Sequence, residues 1–377
     1  GRRKMAIHVK SEIGKLKKVM LHRPGQELEH LVPEDLERLL FDDIPYLKTA
    51  KIEHDMFAEI MQGQGVEVVY LEDLTAEVLK NPEKKEQFVQ EFIAEGGASA
   101  TKVREQLYEY LMNIADEKEL VLKTMSGIRA SELNVKMSCP LVSLVKKESQ
   151  FLLDPIPNLY FTRDPFASIG NGISLNKMYS VTRNRETIYA DYIFKYHPDF
   201  RDKVERFYDR DFEYHIEGGD ILNLTENTIA IGISQRTEAN AIEKIAKQIF
   251  FHSKNKNINT ILAFNIPNTR AFMHLDTVFT QIDYDKFTIH PGIQGPLQVF
   301  EITKGDKLDE LNIKEVNSKL EDILAKHLGV EKVTLIQCGG GDKVISDREQ
   351  WNDGSNTLCI KPGEVIVYAR NYVTNKI

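Results

Sequence analysis

The feature that most constrains this chain is a pair of short, glycine-bounded hairpins set far apart. Gly218-Gly-Asp-Ile-Leu-Asn-Leu224 and Thr228-Ile-Ala-Ile-Gly-Ile233 flank Thr225-Glu-Asn, which reads as a hairpin, and the apolar spacing of Ala239 to Phe250 reads as a helix after it. Near the C-terminus, Gly354-Ser-Asn-Thr-Leu-Cys-Ile360 and Val365-Ile-Val-Tyr-Ala369 flank Lys361-Pro-Gly-Glu in the same manner. The echo includes an arginine just past each second strand, Arg236 and Arg370. An isolated two-stranded hairpin is marginally stable in water, so such units must share a core. A circular array of similar units around a common centre is the expected architecture.

The first seventy residues fit an α/β class. Val19-Met-Leu-His22 is a short apolar run closed by Arg23-Pro24-Gly25, and Val66-Glu-Val-Val-Tyr-Leu71 is β-branched and follows Gly63 and Gly65. Between them Tyr46, Leu47, Ala50, Ile52, Met56, Phe57 and Ile60 recur at helical spacing, which predicts a β-α-β unit. Gly63 and Gly65 follow the helix and precede the strand, the reverse of a dinucleotide-binding fingerprint. From Leu74 to Lys147 the texture changes to Leu, Glu, Lys, Gln and Ala in amphipathic runs such as 85–94 and 103–114. That segment predicts a helical bundle inserted among the strands.

Composition excludes several function classes. The 377 residues carry a formal net charge of -8, so nothing matches the basic stripe of a nucleic-acid-binding face. Cys139, Cys338 and Cys359 are far apart and form no CxxC pair, which points to a reducing cytoplasm rather than a disulfide framework or zinc knuckle. Apolar runs such as Thr260 to Ile266 are too short to cross a bilayer.

Polar groups gather at turns between apolar strands: Asn158 to Asp164, Glu217-Gly-Gly-Asp220, and Met273-His-Leu-Asp276-Thr277. Glycines after a carboxylate let the backbone approach a ligand closely, and His274 and Asp276 at i, i+2 in a strand would point to one face. Plainer readings stand beside this one. Asp164-Pro165 could initiate a turn, Glu217 could sit in an ordinary loop, and His274 could be a hydrogen-bonded core histidine. Glu217, Asp220, His274 and Asp276 could also form a nitrogen and oxygen ligand set, though no HExxH or His-rich pair accompanies them, and no metal is expected. Gly339-Gly-Gly-Asp-Lys343 lacks the spacing of a phosphate loop and reads as a turn.

Phe161-Thr-Arg-Asp164, Ile216-Glu-Gly-Gly-Asp220, Phe272-Met-His-Leu-Asp-Thr277 and Arg348-Glu-Gln-Trp-Asn-Asp-Gly-Ser-Asn356, with Ser11-Glu-Ile-Gly-Lys-Leu16 and His22-Arg-Pro24, resemble the arginine deiminases of the pentein superfamily. The resemblance runs in order from about Val9 to Ile377. It implies a five-fold pseudo-symmetric α/β propeller formed by residues 1–73 and 148–377, with the helical bundle at 74–147 inserted. It further implies hydrolysis of free L-arginine to L-citrulline and ammonia through an amidino-cysteine. Asp164 and Asp276 would hold the guanidinium, Glu217 would add a carboxylate, and His274 would be the general acid and base. Asn158, Phe161, Arg183 and Arg236 would hold the rest of the substrate, the two arginines its carboxylate. Fork-to-fork pairing of guanidinium with carboxylate gives those residue types a physical reason at both ends of arginine.

No cofactor is expected, and the expected partners are the small-molecule substrate and further copies of the chain. A non-catalytic arginine-binding protein, an agmatine deiminase and an amidinotransferase are the alternatives. The family's nucleophilic cysteine lies in a glycine-rich segment near the extreme C-terminus, and none of the three cysteines fits that position. The expectation is therefore that this chain lacks the nucleophile segment and is inactive by itself.

Overall fold

A computed structural model describes residues 6–31, 46–135, 141, 151–268, 272–277, 279–293, 297–337 and 358–366. Cys139, Cys338, the stretch 339–343, the 348–356 motif and Arg370 lie outside the described residues. The chain is mixed α/β and divides into two compact units. One comprises 1–16, 163–179 and 203–377, the other 17–162 and 180–202, a partition that groups the segment 74–147 with the β-α-β region before it.

Within the first unit one arrangement occurs three times. Strands Phe166–Ile169 and Gly172–Leu175 form a hairpin, and the second of them pairs in parallel with Glu205–Tyr208. Ile221–Asn223 and Thr228–Ile233 form the predicted hairpin, and the latter runs parallel to Thr260–Asn265. Phe279–Asp283 and Lys286–Ile289 form a third, with Thr334–Gln337 parallel beside it. Strands Gln298–Lys304 and Leu311–Val316 extend the middle group into a five-stranded sheet. Part of the C-terminal hairpin is also present, as Leu358–Lys361 against Glu364–Ile366.

The five-stranded sheet is apolar on both faces, and the alternation of side chains sorts the sequence between two cores. Ile229, Ile231, Ile261, Ala263 and Ile302 join Ile242, Ile245 and Ile249 of helix Ala239–Phe251. Their neighbours Ala230, Leu262, Phe264 and Val299 face the other way, onto Phe279, Phe287 and Leu324. Each fully buried aliphatic side chain contributes about 1.5–3 kcal/mol, so both faces oppose any slip in register.

The second unit contains the predicted β-α-β element: Lys18–Leu21 lies parallel to Glu67–Tyr70, with helix Leu47–Gly63 between them in sequence. Helices Leu71–Leu79, Pro82–Ala94, Arg104–Met112, Glu117–Ser126 and Glu186–Tyr196 follow. Phe88, Phe92, Tyr189 and Tyr192 fill the space between them with ring centroids 5.4–6.0 Å apart. Asn81 caps the second of these helices by accepting the Glu83 N–H, with Pro82 at its first position. No helix among the described residues is long and apolar enough to cross a membrane.

Candidate active site

The turns at one end of the first unit's hairpins carry the charged residues singled out from sequence. Asp164 lies in the turn before Phe166–Ile169. Asn176, just past the partner strand, donates through Nδ2 to the Asp164 carbonyl at 2.8 Å and closes that hairpin end. Glu217 precedes the 3₁₀ turn Gly218–Asp220, which leads into Ile221–Asn223. His274 and Asp276 were expected on a strand. Instead His274 lies in a bend, and Asp276 belongs to the 3₁₀ turn Leu275–Thr277, where Thr277 Oγ1 donates to the His274 carbonyl at 2.8 Å. The strand alternation expected for His274 and Asp276 is therefore absent, because the segment 273–277 satisfies its backbone locally instead of joining a ladder.

Close approach explains the paired glycines. A Cβ at Gly218 would lie 1.8 Å from the Arg163 carbonyl oxygen, and one at Gly219 would lie 2.8 Å from His274 Cγ and 2.9 Å from Asp164 Oδ1. Only hydrogen fits at these two positions. The Gly219 N–H, left unobstructed, donates to Asp164 Oδ1 at 3.1 Å.

Glu217 is 1% exposed, and its Oε1 lies 2.8 Å from His274 Nε2. Its other oxygen accepts the Tyr179 N–H at 3.0 Å, and Arg236 Nη1 donates to Oε1 at 3.5 Å. Asp164 Oδ1 lies 3.9 Å from the same imidazole nitrogen. Burial disfavours a charged His274, but Asp164, the Glu217 hydrogen bond and Asp220 outweigh it and raise the imidazole to about 10. At neutral pH His274 is therefore an imidazolium, ready to donate a proton. Asp276 is pushed up, first by burial and also by Asp164, with His274 opposing.

Asp164, Glu217 and His274 each offer a ligand atom within 4.8 Å of one another. A cation there would have to displace both the His274–Glu217 hydrogen bond and the imidazole proton, since only neutral imidazole ligates. The same charge arrangement suits a planar organic cation better, because carboxylates can accept its N–H groups without losing that proton.

Asp164, Glu217, His274, Asp276 and Arg236 all belong to the first unit, whereas Asn158, Phe161 and Arg183 belong to the second. Asn158 is buried in the 3₁₀ turn Pro157–Tyr160, and Phe161 is exposed with its ring 4.2 Å from that of Tyr160. Arg183 is buried and pairs in fork fashion with Glu186, at 2.8 and 3.1 Å. Sequence reasoning gave Ser234 and Thr237 no role. Both donate to the buried Asp220 carboxylate, at 2.7 and 2.6 Å. Their only signal was two hydroxyl residues three apart just past an apolar strand.

Residues 37–377 match the family described as Arginine deiminase. The chain is 59% identical to an arginine deiminase from Treponema denticola, in a match covering 98% of this chain and 90% of that protein. It is 56% identical to one from Streptococcus agalactiae serotype V, with the same coverage. Among solved structures, an amidinotransferase from Microseira wollei aligns at 16% identity with a TM-score of 0.49, covering 98% of this chain and 88% of that one.

Proposed function

The chain belongs to the arginine deiminase family, and from that premise we propose that it hydrolyses free L-arginine to L-citrulline and ammonia. The observation that carries this reading is the buried imidazole of His274, held 2.8 Å from Glu217 with Asp164 beside it and Asp276 two residues on. Asp164 and Asp276 hold the substrate guanidinium, and Glu217 orients the imidazole and adds negative charge.

A cysteine thiolate attacks the guanidinium carbon and forms a C–S bond. His274 gives its proton to the departing nitrogen, and the C–N bond breaks to release ammonia. The imidazole, now neutral, takes a proton from water as that water attacks the same carbon. The C–S bond then breaks as the carbonyl forms and its hydroxyl proton passes to solvent, releasing citrulline and regenerating the thiolate. Cysteine chemistry of this kind calls for neither a redox group nor a metal.

Cys359 is not assigned as the attacking thiolate. Burial and Asp283 raise its thiol to about 11, and it donates to the Lys361 carbonyl at 3.0 Å. Arg236 and Arg183 pair with the substrate carboxylate, Arg183 by sharing or releasing Glu186. The threefold recurrence of a hairpin with a parallel strand supports a five-unit propeller.

The test is direct. Purified protein and a form extended by the family's glycine-rich cysteine segment, each with its His274→Ala variant, are incubated with L-arginine and assayed for citrulline and ammonia in equal amounts. Citrulline from none of them, with arginine binding retained, would leave a binding protein in place of an enzyme.

A further inference from the structure

Asp164, Asp220 and Asp276 stand at equal intervals along the chain, each just before the first strand of one of the three recurring groups. Two of them have a place in the proposed reaction. Asp220 does not, although it is fully buried. Its Oδ1 accepts the N–H of Leu275, the residue between His274 and Asp276, at 2.9 Å. Its Oδ2 accepts the hydroxyls of Ser234 and Thr237, and the Thr237 oxygen in turn accepts the Glu217 N–H at 3.1 Å. A Cβ on Gly232 would come within 2.6 Å of Asp220 Oδ1, so the neighbouring strand leaves room for this carboxylate and little else.

We propose that Asp220 is a positioning residue for the guanidine chemistry: one buried carboxylate fixes the His274–Asp276 turn on one side and Glu217 on the other, and so sets the acid, the clamp and the orienting carboxylate in register. The proposal rests on the deimination reading above for its catalytic consequence but not for its geometry. Ser234 and Thr237 bring their hydroxyls to the carboxylate because the end of the second strand of an antiparallel hairpin lies beside the start of the first. A carboxylate with three donors satisfies both oxygens, which a neutral residue of the same shape cannot reproduce. The charge also acts on His274, which is faced by Asp164 and Glu217 from the other turns, by Asp276 from its own, and through Glu217 by Arg236.

The experiment uses Asp220→Asn and Thr237→Val, each checked for folding by circular dichroism. Steady-state kinetics with L-arginine and NMR titration of the His274 imidazole are the two readouts. Asp220→Asn is expected to lower kcat at least tenfold, with a smaller change in KM, and to lower the His274 titration midpoint. Thr237→Val keeps the charge but cuts the link to Glu217, so it should lower kcat with little movement of the midpoint.

A folded Asp220→Asn with wild-type kcat and midpoint would overturn the proposal. If Asp220→Asn does not fold, Thr237→Val decides: wild-type kcat in that variant overturns it. Should the wild-type protein produce no citrulline, the deimination reading fails. The shift of the His274 midpoint in Asp220→Asn then still decides whether Asp220 governs that imidazole.

Discussion

His274 Nε2 and Glu217 Oε1 lie 2.8 Å apart, brought together from two turns that are separated by an entire hairpin, a helix and a further strand. This buried pair, with Asp164 at 3.9 Å, keeps a proton on the imidazole that burial alone would remove.

Replacing Asp276 with Asn should reduce L-arginine turnover by at least one to two orders of magnitude. A guanidinium facing a neutral amide loses a charge-assisted bond, about 1.5–3 kcal/mol. Citrulline assays on the folded variant check this, and wild-type turnover would remove Asp276 from the clamp.

Arg236→Ala and Arg183→Ala should each raise KM for L-arginine tenfold or more while affecting agmatine, which has no carboxylate, far less. Removing Arg183 also leaves Glu186 without its fork partner, so thermal melting must accompany the kinetics. Equal losses on both substrates would assign the arginines to the fold.

His22 is 0% exposed and lies between Glu27 at 2.7 Å and Glu72 at 2.8 Å. Burial opposes its charge, but the two carboxylates prevail and raise it to about 10. Because the folded value exceeds the unfolded one, the stabilisation is full below about pH 6.5 and declines as pH rises through about 10. Urea midpoints should therefore fall across that window. His22→Ala should be destabilised by about 3–5 kcal/mol near pH 7, with a flatter decline. Parallel curves for the two proteins would contradict the assignment.

Cys359→Ser should leave turnover within about twofold of wild type. Cys359 lines a small cavity with Asp276 and Arg163, so a thiol does lie near the carboxylates. A proton held to about 11 makes it a poor nucleophile. Loss of activity by orders of magnitude would make this cysteine the attacking group after all.

Much of the frame could be read from residue order alone. Alternating Ile and Ala in Thr228–Ile233, helical spacing in Ala239–Phe251 and the leucine-rich amphipathic runs are local patterns, and local patterns survive into the folded chain. Gly218-Gly219 beside Glu217 read as room for a ligand, and the structure fills that room with the Arg163 carbonyl, His274 and Asp164 of the chain itself. What could not be read was which partner each polar group meets. Apolar neighbours make His274 read as a strand residue, yet it lies in a bend before a 3₁₀ turn whose anchor, Asp220, is distant in sequence, and Leu275 of that turn is buried in the core. Residue type and spacing determined that carboxylates and an imidazole would cluster at turns. Only the tertiary structure decided that Asp164 and Glu217 charge His274, that Asp220 faces inward to Ser234, Thr237 and Leu275, and that Arg183 is matched by Glu186. Those pairings depend on long-range strand register and on burial, and burial is what turns a modest hydrogen bond into one that sets a proton's position.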